Sequence, residues 1–151
     1  RQQEAFTDVS EKLNTYISRA SDLSDYMPYI KLCFERGEAA QNYSRLIKEY
    51  NQTRDKINAE HAKDISSVKH YWSNPATALQ LESTYNYLLK EVHDDTFLLW
   101  IGKIYEYFTT TPARANQAQK TADSAQVLMN KKIEELKRQS EIIIELMRDQ
   151  I

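Results

Sequence analysis

Glycine and proline are nearly missing from this chain of 151 residues: Gly37 and Gly102 are the only glycines, Pro28, Pro75 and Pro112 the only prolines. A sheet fold needs a turn about every ten residues, and turns draw on glycine and proline. Their scarcity excludes an all-β chain and predicts an all-α protein of a few long helices. Two glycines also cannot build a phosphate-cradling loop. Cys33 has no partner cysteine, which excludes an internal disulfide and leaves the compartment open; the expectation is a reducing, cytoplasmic location, in solution or peripheral to membranes. Charge of one sign is not in excess: 20 basic side chains face 22 acidic ones, a net −2. Without a surplus of lysine and arginine to neutralise phosphates, nucleic acid is not an expected partner. No apolar run approaches the roughly 20 residues that span a bilayer, and no signal peptide opens the chain. With Arg1 in place of an initiating methionine, residues 1–151 read as one helical domain from a larger protein.

Catalytic chemistry is as thinly represented. The histidines are His61, His70 and His93, with no H-E-x-x-H motif and no Glu-x-x-His pair. Converging His, Cys and carboxylate ligands, which a metal needs, are not in view, and no metal or other cofactor is expected. His93 with Asp94 and Asp95 is the nearest approach to a cluster and reads as a polar helix face. Cys33, between Leu32 and Phe34, reads as a buried, inert thiol. No nucleophile, base and oxyanion donor can be assembled, so the chain is expected not to be an enzyme. Asn42-Tyr43-Ser44 and Asn51-Gln52-Thr53 match the glycosylation triplet without establishing secretion.

What is present is helical periodicity. Phe6, Val9, Leu13, Tyr16, Ala20, Leu23 and Met27 alternate three and four apart, a heptad seam that sends every one to the same face. Asp8, Glu11, Lys12, Ser18 and Asp22 fall on other faces. Pro28 then marks a tight joint or a kink, because mid-helix proline costs about 3 kcal/mol; the seam itself continues through Ile30 and Phe34. A second helix is expected over 29–71, its buried side marked by Tyr43, Ile47, Tyr50, Ile57, Ile65, Val68 and Trp72, with Arg54 and His61 on the same stripe. Asn74-Pro75 reads as a cap followed by proline in the first turn.

The third helix, 75–108, carries Leu79, Tyr85, Leu88, Leu89 and Val92 and ends in the segment Phe97–Phe108, where only Gly102, Lys103 and Glu106 are not apolar or aromatic. A helix apolar on nearly all sides must be covered by other helices or by a partner. Phe97, Trp100, Ile104, Tyr105 and Phe108 are therefore candidates for the core or an interface, and Gly102 for a close backbone approach. Thr111-Pro112 repeats the cap-and-proline signal. The last helix opens on Ala115, Ala118, Ala122 and Ala125, then continues with Met129, Ile133, Leu136, Ile143 and Met147. Small residues after large ones across a proline predict an antiparallel hairpin in which the two sets interdigitate. The expected architecture is an antiparallel bundle or coiled-coil hairpin of four helical segments separated at Pro28, Pro75 and Pro112.

Two surface features bear on partners. Ten tyrosines suit helix interfaces, since each joins apolar area to a hydrogen-bonding tip. Lys131, Lys132, Lys137 and Arg138 form the densest basic group and are candidate contacts for anionic lipid, although Glu134, Glu135 and Glu141 lie within pairing reach. The run Phe97–Tyr107, the small residues Ala118–Ala125 and the stretch Met129–Leu136 together resemble the second helix of sorting-nexin BAR domains. That resemblance implies dimerisation into a curved, membrane-binding scaffold with Lys131 and Lys132 touching lipid. Two functions follow as expectations. One is a non-enzymatic scaffold that forms homo- or hetero-dimers and binds a partner protein or a membrane surface. The other is a four-helix ligand-sensing domain of a membrane receptor, its chain ends meeting on one side.

Overall fold

The computed structural model describes the backbone of residues 1–35 and 41–151, and the side chains of all of these except 33–35 and 41–43. Helix α1 spans Gln2–Glu35, α2 spans Gln41–Tyr71, and α3 begins at Pro75 and runs to Asn86. A π helix, Tyr87–Leu98, continues α3 without a break into α4, Leu99–Thr109; α5 spans Pro112–Arg148. The three middle pieces form one rod, so the described residues make four antiparallel helices and no strand. Around the bundle, α1 packs on α2 and α5, and the third rod on α2 and α5.

The α1 seam is the first half of the core. Val9, Leu13, Tyr16, Ala20, Leu23, Met27 and Ile30 are all buried. Pro28 does not separate two helices: it lies inside α1, exposed, between buried Met27 and Ile30. Burying Leu23, Met27 and Ile30 yields about 1.5 to 3 kcal/mol each, which outweighs the proline penalty of about 3 kcal/mol. The second helix accordingly begins at Gln41 and not at Tyr29. Phe34 and Tyr43, placed on the two seams from sequence, lie outside the described side chains, as does Cys33.

Both cap-and-proline signals mark helix starts. Asn74 caps α3, its side chain accepting from the Ala76 amide at 3.0 Å. Thr111 occupies the cap position of α5 with extended backbone, but its hydroxyl makes no capping bond. On α3 the buried register is Ala78, Leu81 and Tyr85, continued by Leu88 in the π helix; Leu79, expected in the core, is 64% exposed. Across the last turn, Ala118, Ala122 and Ala125 are buried and α5 packs closely on α4, as the small-against-large pattern requires.

The chain ends meet at one end of the bundle, here called proximal. Gln2 donates from Nε2 to the carbonyls of Tyr71 (2.9 Å) and Gln150 (3.5 Å), and Trp72 donates from Nε1 to the Met147 carbonyl at 2.9 Å. Gly102 is not a close approach: a β-carbon there would meet nothing within 4 Å. Gly102→Ala should therefore stabilise α4 by up to about 1 kcal/mol through helix propensity alone. A thermal melt of the variant checks this, and a lowered Tm would show that the backbone there is constrained.

Candidate functional site

Two cross-bundle bonds set a level on the long axis. Ser24 donates to Asn130 at 2.6 Å between α1 and α5, and Lys132 of α5 reaches Glu91 of the π helix at 3.0 Å. Of the ten large apolar side chains exposed among the described residues, only Leu79 and Ile151 lie proximal to this level. Tyr26, Tyr29 and Leu32 of α1, Leu98, Leu99 and Tyr105 of the third rod, and Val127 and Leu128 of α5 all lie on its distal side.

The aromatic segment explains much of this. Phe97, Trp100 and Ile104 point into the core, and Phe108 is half-buried against it. Tyr105 is 64% exposed, and Leu98 and Leu99 are 47% and 40% exposed. The candidates thus divide by helical face: α4 is apolar around most of its circumference but covered on only part of it.

The candidate lipid contacts are mostly occupied by carboxylates. Lys132 holds both the carboxylate and the backbone carbonyl of Glu91, at 3.0 and 3.2 Å. Lys137 pairs with Glu134 at 3.1 Å, and Arg138 grips Glu135 through two bonds of 2.8 and 2.6 Å. The hydrogen bonds from Lys132 and Arg138 hold Glu91 and Glu135 below the usual carboxylate range. Lys131 is exposed. Three of the four cations are therefore engaged by carboxylates of the same chain.

The core is polar in two places that sequence periodicity did not place. Lys12, assigned to an outer face, is only 7% exposed and is ringed by carboxylates: Asp8 at 2.9 Å, Glu60, and Asp64 at 3.1 Å. Burial alone would lower the ammonium pKa, but hydrogen bonds to Glu60, Asp8 and Asp64 outweigh it and hold Lys12 above its ordinary range. Tyr85 donates to Asp64 at 2.9 Å, and burial with that charge raises its phenol far above the usual value.

The second place is a chain of rings. The Tyr16 and Tyr50 hydroxyls share a hydrogen bond of 2.6 Å, and the Tyr50 hydroxyl meets His93 Nδ1 at 3.1 Å. Asp94 and Asp95 lie on the exposed face expected of them, but His93 is fully buried. The i→i+5 bonding of the π helix brings Leu88 into line with His93, and Val92 with Phe97, and the Thr96 hydroxyl donates to the Glu91 carbonyl five residues back at 2.7 Å. Tyr50 stacks on His93 at 5.4 Å and meets Phe97 edge-on at 4.9 Å. Among the described residues, His93 Nε2 and the Trp100 indole nitrogen find no hydrogen-bond partner. Burial, then the nearby Arg54 charge, depress the imidazole pKa to about 4.

Among the described residues, no three His, Cys, Asp or Glu side chains are grouped so as to hold a metal ion, and no helix is long and apolar enough to cross a membrane. No family model, curated protein or solved structure matches the chain.

Proposed function

We propose that this chain is a non-enzymatic helical interaction module that self-associates through the distal half of the bundle. One observation carries the reading: the end of the π helix and α4 present Leu98, Leu99 and Tyr105 to solvent while the other side of α4 fills the core. Apolar side chains gathered in one region of a surface gain by excluding water against a partner. The tyrosines Tyr26, Tyr29 and Tyr105 add side chains suited to interface contacts. Dimerisation is also what the likeness to sorting-nexin BAR helices implies. A membrane surface is the less favoured partner, because Lys132, Lys137 and Arg138 are engaged by Glu91, Glu134 and Glu135.

Changing Leu98 and Tyr105 together to glutamate should leave the unfolding free energy within about 0.5 kcal/mol per site, as is usual for exposed positions, while abolishing association. Sedimentation equilibrium over a range of concentrations reads this directly. Equal self-association of wild type and variant would place the interface elsewhere, and a wild-type monomer at every concentration would refute self-association.

A second reading, a ligand-sensing domain of a membrane receptor, is favoured by the meeting of the chain ends at the Gln2–Gln150 contact. Membrane-spanning segments next to residues 1 and 151 in the parent protein would favour it over the first.

A further inference from the structure

The backbone of α2 packs on α1 and α3 and, among the described residues, makes far fewer close approaches to the π helix and α4. The first half of α2 is joined to them through a side chain, Tyr50, which carries the hydrogen bond to His93 and the ring contacts to His93 and Phe97. We propose that the Tyr16–Tyr50–His93 chain is an acid-sensitive clasp: protonation of the buried imidazole loosens the first half of α2 from the π helix while the proximal half of the bundle stays closed.

The chemistry follows from the surroundings of the ring. One imidazole nitrogen is satisfied by Tyr50 and the other by no group among the described residues. A second proton adds a buried charge and an N–H donor without an acceptor, both unfavourable in a core. From α2, Arg54 opposes that charge and Asp55 favours it; from the π helix itself, Asp94 favours it. The contribution of α1 is the Tyr16 hydroxyl, reached through Tyr50. The buried residues of α5 near this level, Ala125, Met129 and Ile133, carry no charge. The net effect is a depressed pKa of about 4 against 6.5 for a free imidazole. The preference for the neutral ring is therefore fully present above pH 6.5 and is lost as pH falls from there through about 4. The proximal half is closed by Gln2, Trp72 and Gln150, none of which titrates, and by Lys12 with Asp8, Glu60 and Asp64; the hydrogen bond from Lys12 holds the Glu60 carboxylate below its ordinary range, so that it keeps its charge at pH 5.

Hydrogen exchange of the whole chain at pH 7 and pH 5, corrected for the intrinsic rate, tests the clasp. With the two pKa values above, the opening equilibrium over residues 44–57 should rise about twenty-fold between pH 7 and pH 5, and at pH 5 these amides should be less protected than those of 60–71. In His93→Gln the rise should vanish. A rise that persists in His93→Gln, or equal protection of both halves of α2 at pH 5, overturns the proposal. Should His93→Gln fail to fold, the imidazole resonances of the wild-type protein decide. A titration midpoint below 5 that coincides with the loss of protection supports the clasp; a midpoint near 6.5 with protection unchanged overturns it.

Discussion

Trp100→Ala should lower the unfolding free energy by about 3 to 5 kcal/mol, the usual cost of emptying a core position of this size. The indole is fully buried and stacks on Phe97 at 6.3 Å. Its nitrogen already lacks a partner among the described residues, so truncation orphans no other polar group and the loss is one of packing. Phe97 in turn touches Tyr50 and His93, so the cavity would open beside the aromatic cluster that bridges α2 and the third rod. Urea denaturation at pH 7 measures the change. A loss below about 1 kcal/mol would mean that the neighbouring helices close over the gap or that the ring is not core.

Lys12→Met should cost about 3 kcal/mol, for a different reason. Removing one partner of a buried ion pair leaves an uncompensated charge, at about 3 to 5 kcal/mol. Here the uncompensated charge is that of Asp64, which is buried and would keep the Tyr85 hydroxyl as its partner. The lower end applies because Asp8 and Glu60, 55% and 38% exposed, are screened by water. The double change Lys12→Met with Asp64→Leu, made in a Tyr85→Phe background so that no buried hydroxyl is orphaned, should recover most of the loss, since apolar replacements of a whole buried pair are often close to neutral. Denaturation of the single and double variants separates the two effects. A single variant as stable as wild type would show the network to be solvated.

The parts of the fold legible in the sequence are those governed by short-range rules. The α1 seam follows from heptad spacing, and Asn74-Pro75 and Thr111-Pro112 from cap chemistry. The alanines of α5 opposite the aromatic segment follow from volume complementarity. What escaped depended on distant partners. Lys12 is drawn inside by Glu60 and Asp64, about fifty residues away in the chain. Leu79 faces solvent because Ala78, Leu81 and Tyr85 set the buried register of α3, and residue size alone does not reveal which face is turned inward. Pro28 reads as either a joint or a kink, and only the second keeps α1 whole, because its local cost is visible in the sequence while the burial on either side of it is not. His93 reads as part of a polar face by residue type, with Asp94 and Asp95 beside it, although its place four before Phe97 and seven before Trp100 already sets it on their buried face. Of the candidate surface, the apolar segment itself was legible, but which of its side chains stay exposed is settled only by where α2 and α5 pass.

The distal interface is tested most directly by comparing hydrogen exchange of the chain at dilute and concentrated conditions at pH 7. Association should protect amides around Leu98–Tyr105, with further gains around Tyr26–Leu32 and Val127–Leu128, and leave the proximal end unchanged. Protection gained instead along Lys131–Arg138 or at the proximal end, with none at Leu98–Tyr105, would contradict it.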